Sequence, residues 1–219
     1  MNLLFDLDGT LTNPFTGITR CIRYALDMLD RESPPKESLH WCIGPPLKDS
    51  FAKLLASDDD AITEKAVAFY RERFSTVGLY ENEVYDGIPA ALEALKKSGH
   101  TLYVATSKPV VYAERIITHF GLQRYFKCVF GSELDGTRSD KTSLISHILN
   151  KEVIAPSDTA MIGDRVHDIV GATDNGIYGF GVLWGYGTKD ELENSGAHAF
   201  FKTPRELVTA FNGKLNRSR

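Results

Sequence analysis

Two aspartates separated by one residue, Asp6 and Asp8, follow the apolar run Leu3-Leu4-Phe5 and are themselves followed by Gly9 and Thr10. If that run is a strand continuing this far, alternation of side chains points both carboxylates the same way, and Gly9 permits the turn beyond them. Two carboxylates that close repel unless something positive lies between them or one holds a proton. A hard cation answers the repulsion, and Gly163-Asp164-Arg165-Val166-His167-Asp168 offers two further carboxylates after another apolar run. Oxygen-only ligands with no Cys or His cluster favour magnesium over zinc. Thr106 and Lys141 complete a phosphate site, the hydroxyl as a donor and the ammonium as a point charge. A carboxylate near a metal-held phosphoryl group is an in-line nucleophile, and an aspartyl-phosphate divides one hard displacement into two easier ones.

The elements that must position these residues are short apolar runs: Leu3-Leu4-Phe5, 101–106, 127–130, 159–162, 179–183 and a weaker one over 197–201. They are apolar at consecutive positions rather than alternating, which suits parallel strands covered on both faces. Between them Ile88, Leu92 and Leu95 precede Gly99, Ile116 and Phe120 precede Gly121, and Ile169 and Ala172 precede Gly176, each a helical face ended by a glycine. The pattern predicts a doubly wound, Rossmann-like parallel α/β sheet. No strand pattern occurs from about Asn13 to Tyr85. There Ile18, Ile22, Ala25, Leu26 and Leu29 share one helical face, and Ile62, Ala66, Phe69, Tyr70 and Phe74 share another, opened by Asp58-Asp59-Asp60. The expected domains are therefore an α/β core over 1–12 and 86–219 and an inserted all-helical cap domain over 13–85, at the sheet end where α/β proteins place ligands.

A chain of 219 residues with 42% hydrophobic and 25% charged residues has material for one large domain carrying a smaller insertion. Its net charge of −4 argues against a nucleic-acid polymer as partner. The basic end Lys214–Arg219 reads as a solvated tail. Cys21, Cys42 and Cys128 are odd in number and widely spaced, so they indicate neither a disulfide framework nor a zinc site. No run is long enough to span a membrane or to serve as a signal sequence, so a cytoplasmic location is expected.

Asp6-Leu7-Asp8-Gly9-Thr10, Thr106 at a strand end, Lys141, and Gly163-Asp164 through Asp168 resemble, in that order, the four signature motifs of the haloacid dehalogenase-like hydrolase superfamily. The resemblance covers essentially the whole chain. Thr106-Ser107-Lys108-Pro109, Gly44-Pro45-Pro46-Leu47 and Trp184-Gly185-Tyr186-Gly187 look like its phosphoglycolate phosphatase-like branch, some of whose members are 5′-nucleotidases. The resemblance implies a magnesium-dependent phosphomonoesterase acting on a small phosphorylated metabolite. Asp6 would attack phosphorus; Asp8 would protonate the leaving alcohol and then activate water. Thr106 and Lys141 would hold the transferring group. Magnesium would be bound by Asp6, the Asp8 backbone carbonyl and Asp164, with Asp168 in support and Gly9 and Ser107 beside the site. Asp8 must hold its proton as the leaving group departs, which calls for a pKa raised by burial or by its acidic neighbour.

Other readings fit less well. In an EF-hand register the glycine would fall at Leu11 and the closing glutamate at Gly17. The glycines from Gly179 to Gly187 follow a late strand instead of opening the first helix, so they do not form a dinucleotide loop. His167 reads as solvent-facing or packed. Arg138 is close enough in sequence to Lys141 to meet a substrate anion. Arg20, Arg23, Lys48 and Lys53 are candidate readers of the leaving group. A phosphosugar mutase or other phosphotransferase would use the same core residues, whereas dehalogenases dispense with the second acid. A non-enzymatic phospho-aspartate switch has no need of a cap. Oligomeric state is not encoded in these motifs.

Overall fold

The computed structural model describes residues 1–213, so the basic end at Lys214–Arg219 lies outside the described residues. The chain divides into two compact units, one of Met1–Thr12 with Val84 onward and one of Asn13–Glu83. Strand β1 (Asn2–Phe5) opens the first unit. Two short strands, β2 (Thr12–Asn13) and β3 (Glu83–Val84), form a separate two-stranded sheet where the chain leaves that unit and returns. They are a departure from the strandless interval expected there, because two-residue strands are too short to print a period of two on the sequence.

The inserted unit contains α1 (Phe15–Asp27), α2 (Leu47–Leu55) and α3 (Asp60–Phe74), with α1 and α2 both packed on α3. Asp59 caps α3 by accepting the Ala61 N–H, as the acidic run suggested. Helix α1 ends at Asp27, just short of Leu29, and Asp30 beyond it has a left-handed φ of 54°. Arg73 pairs with Glu81 at 2.7 Å and donates to Cys21 Sγ. The candidate reader cations are placed as ordinary surface groups. Arg20 pairs with Glu81 at 2.5 Å, Lys48 with Asp60 at 2.9 Å, Lys53 lies over the Trp41 ring, and Arg23 is exposed.

After β3 the first unit resumes with α4 (Ile88–Lys97), β4 (Thr101–Pro109), α5 (Val110–His119), β5 (Cys128–Ser132) and α6 (Lys141–Glu152). It continues through β6 (Thr159–Gly163), α7 (Val166–Asp174), β7 (Tyr178–Val182), α8 (Lys189–Asn194), β8 (Ala199–Phe201) and α9 (Pro204–Gly213). Six strands form one sheet in the order β5-β4-β1-β6-β7-β8, every neighbouring pair parallel. Leu4 of β1 packs with Tyr103, Met161 and the α6 residues Leu144, Ile145 and Ile148 on one face. Its neighbours Leu3 and Phe5, which alternate to the other face, are equally closed to solvent. Burial on both faces is what the unbroken apolar runs require, and the doubly wound α/β architecture is as expected. No helix among the described residues is long and apolar enough to cross a membrane.

Candidate active site

The C-terminal ends of β1, β4 and β6, three neighbours at the middle of the sheet, carry Asp6, Thr106 and Asp164. Strand β1 stops at Phe5, so Asp6 and Asp8 stand on the loop beyond it and their side chains take different partners. Asp6 Oδ1 accepts the Leu7 N–H at 2.7 Å and pairs with Lys141 Nζ at 2.8 Å. Lys141, the first residue of α6, also pairs with Asp168 Oδ1 at 2.7 Å and donates to the Ala105 carbonyl at 2.7 Å. It is buried. Burial alone would lower its pKa, but Asp168 and Asp6 outweigh that and raise it, so the ammonium stays charged.

Asp6, Asp164 and Asp168 each offer one carboxylate oxygen to a cluster whose atoms all lie within 4.8 Å of one another. Asp164 accepts from the Thr10 hydroxyl at 3.2 Å and from the Tyr186 N–H at 2.8 Å. Its surroundings leave no room for side chains on two glycines. A Cβ at Gly9, which has φ of 86°, would lie 2.2 Å from Asp164 Oδ2, and one at Gly185 would lie 2.4 Å from Asp164 Cβ. Burial first, then the charges of Asp168 and Asp6, push the Asp164 carboxyl up to about 8. Burial also raises Asp168, to about 6, against the pull of Lys141. Asp168 Oδ2 accepts the Arg165 N–H at 3.1 Å, which fixes the start of α7. Carboxyls pushed this high lack sufficient counter-charge within the protein, and an all-oxygen donor set of this kind fits a hard divalent cation.

Asp8 belongs to a second pair. Its Oδ2 lies 2.6 Å from Lys108 Nζ, with both side chains largely enclosed. Burial raises its pKa, Lys108 pulls it back, and the net shift is upward. Lys108 follows Thr106 by two residues on β4, where the register with β5 slips between Ala105 and Pro109. Such an irregularity re-aims side chains at a strand end. The Lys108 N–H donates to Thr106 Oγ1 at 3.2 Å, and the Ser107 carbonyl accepts from Ser132 Oγ at 2.8 Å.

The fold thus brings Asp6, Asp164, Asp168 and Lys141 together, seats Gly9 against Asp164, and gives Lys108 a partner at each end, Asp8 at its ammonium and Thr106 at its backbone N–H. Arg138 is turned elsewhere. It has a left-handed φ of 60° and its guanidinium pairs with Glu133 in its own loop. His167 is exposed. Two participants escape a reading by motif alone. Lys108 stands within Thr106-Ser107-Lys108-Pro109, and its spacing of two from Thr106 on a strand was the available signal. Trp184-Gly185-Tyr186-Gly187 clasps the first loop through Trp184 Nε1, which donates to the Thr10 carbonyl at 3.0 Å. Burial and then Asp164 push the Tyr85 hydroxyl up to about 12; burial and then Tyr85 raise Tyr186, to which Tyr85 is hydrogen-bonded.

Three comparisons bear on this arrangement. The chain is 53% identical over 191 residues to a 5′-nucleotidase of Pseudomonas aeruginosa, covering 87% of this chain and 86% of that protein. It is 35% identical over 193 residues to the tyrosine-protein kinase PtkA of Mycobacterium tuberculosis, covering 88% of this chain and 65% of that one. The crystal structure of a predicted phosphatase from Clostridium acetobutylicum superposes with a TM-score of 0.91 at 41% identity, covering 95% of this chain and 96% of that one. The family model described as haloacid dehalogenase-like hydrolase matches residues 3–182, from β1 to the end of β7, and the chain belongs to that family.

Proposed function

We propose that this phosphatase hydrolyses a small phosphorylated metabolite through an aspartyl-phosphate on Asp6, with magnesium held by Asp6, the Asp8 backbone carbonyl and Asp164. The observation that carries the reading is Lys141 Nζ set between Asp6 at 2.8 Å and Asp168 at 2.7 Å, with Asp164 in the same cluster. When bound, magnesium supplies charge neutralisation for the acids and the phosphoryl oxygens. With Oδ1 of Asp6 held by Leu7 and Lys141, we assign Oδ2 to attack. The Asp6 Oδ2–phosphorus bond forms, the ester oxygen leaves, and Asp8 gives that oxygen a proton. Water then attacks phosphorus, Asp8 takes its proton, and the bond to Asp6 breaks. Lys141 and the Thr106 hydroxyl hold the phosphoryl oxygens throughout. Asp168 keeps Lys141 in place.

The Pseudomonas aeruginosa relative supports a nucleoside 5′-monophosphate as first substrate to assay, with phosphoglycolate second. The assigned setting is the cytoplasm. The test is phosphate release from a generic aryl phosphate with and without magnesium and by Asp6→Asn. Loss of activity in the last two is expected, and equal activity in all three defeats the reading. The relative named a kinase favours a second reading, in which an acceptor hydroxyl replaces water in the second step. Product analysis separates them: inorganic phosphate alone for hydrolysis, a phosphorylated acceptor for transfer.

A further inference from the structure

The pairing of Asp8 with Lys108 is unsymmetrical. Asp8 Oδ2 has Lys108 Nζ at 2.6 Å, while Oδ1, also out of reach of solvent, has no hydrogen-bond partner among the described residues. A buried carboxylate oxygen is ordinarily satisfied, so one left open asks for a partner that arrives later. Lys108 cannot easily move away to expose the other oxygen. Its side chain is 7% exposed, and its own N–H is tied to Thr106 Oγ1 at the irregular end of β4.

We propose that Lys108 is a positioning residue for the Asp8 carboxyl: by holding Oδ2 it sets the plane of the group and presents Oδ1 as the oxygen that exchanges the proton. This rests on the acid–base part given to Asp8 above. In the first step Asp6 Oδ2 bonds to phosphorus, the bond from phosphorus to the ester oxygen breaks, and the proton on Asp8 Oδ1 passes to that oxygen. In the second a water oxygen bonds to phosphorus, the Asp6–phosphorus bond breaks, and one water proton returns to Oδ1. Without Lys108 the carboxyl can turn about its last torsion, and a proton donor displaced by a fraction of an ångström loses much of its effect.

The test compares two esters in the magnesium-saturated full chain: an aryl phosphate with a strongly acidic phenol, which departs without help, and an alkyl phosphate, which needs the proton. The first step governs kcat/KM for both. Lys108→Met is expected to lower kcat/KM for the alkyl ester about 100-fold and for the aryl ester by less than about tenfold, within the range of acid catalysis. Lys108→Arg is expected to recover most of the loss. In an Asp8→Asn background, Lys108→Met should add nothing further, since residues acting as one unit are not additive. Equal losses on both esters, or an additive loss in the Asp8→Asn background, overturn the proposal and assign Lys108 to the phosphoryl group or to folding. Lys108→Gln is judged on the same criteria if Lys108→Met is insoluble. Activity retained by Asp6→Asn would instead defeat the underlying mechanism, so the two failures are distinct.

Discussion

Lys141 Nζ stands 2.8 Å from Asp6 Oδ1 with 4% of one side chain and 8% of the other open to solvent. In a buried pair of this kind the loss of one member leaves an uncompensated charge, which costs about 3–5 kcal/mol. Here the cost is compounded because Asp168 shares the same ammonium. Lys141→Met is therefore expected to unfold at lower denaturant than the parent, with an unfolding free energy reduced by about 3–5 kcal/mol, and to release no phosphate. A variant with parental stability in urea titration would show that the two carboxyls find other counter-charge.

The acid cluster gives stability a pH dependence of definite sign. Asp164 is raised from 3.8 to about 8 and Asp168 from 3.8 to about 6. A carboxyl with its folded pKa raised contributes stability that is complete below about pH 4 and is lost as pH climbs through the folded value. Metal-free protein should thus melt progressively lower between pH 5 and pH 8. Magnesium at about a hundred times its Kd should restore about 2.7 kcal/mol. Asp164→Asn keeps an acceptor for Tyr186 and is expected to flatten the pH trend and abolish the magnesium increment. Melting curves in chelator and in magnesium at the two pH values check all three outcomes.

Gly185 offers a way to disturb the cluster without touching a carboxylate. An added Cβ would lie 2.4 Å from both Asp164 Cβ and the Gly9 carbonyl oxygen. Gly185→Ala should push Asp164 off its position and raise the magnesium concentration for half-maximal activity about 10–100-fold, the usual effect of disturbing a ligand's support. Titration of activity against magnesium reads this directly.

Val153 closes α6 in the left-handed region, with φ of 53°, and 89% of its surface is exposed. A β-branched residue is strained there and glycine is not. Relief of about 1–2 kcal/mol of left-handed strain exceeds the ~0.5–1 kcal/mol entropic cost of glycine, so Val153→Gly should stabilise the protein modestly in denaturant titration and leave phosphate release unchanged. Destabilisation would mean that Val153 makes contacts outweighing its strain.

The strands were legible because burial on both faces leaves uninterrupted apolar runs, as in Leu3-Leu4-Phe5 and Thr159–Ile162. Asp6, Asp164 and Lys141 were legible because carboxylates and a lysine at strand and helix ends form a set that structure alone does not demand. Lys108 was not, since a lysine reads as exposed until its partner is known, and Asp8 lies on a different strand's loop. Arg138 misled for the converse reason. Nearness in sequence to Lys141 is not nearness in space once the turn at Gly136, with φ of 91°, directs the guanidinium to Glu133. The apolar spacing that reaches Leu29 overran α1, which ends at Asp27, because the spacing of apolar residues does not mark where helical hydrogen bonding stops.

The place of β1 between β4 and β6 has a consequence for biosynthesis. Leu3-Leu4-Phe5 leaves the ribosome before either flanking strand exists, with both edges open until residues 101–104 and then 159–162 follow. The contiguous segment Asn13–Glu83 can compact in the meantime, but the nascent chain must shelter a sticky central strand until most of its length has been translated. Synthesis arrested before β6 yields a polypeptide that holds Asp6 yet lacks Asp164 and Asp168, the other two members of the acidic cluster.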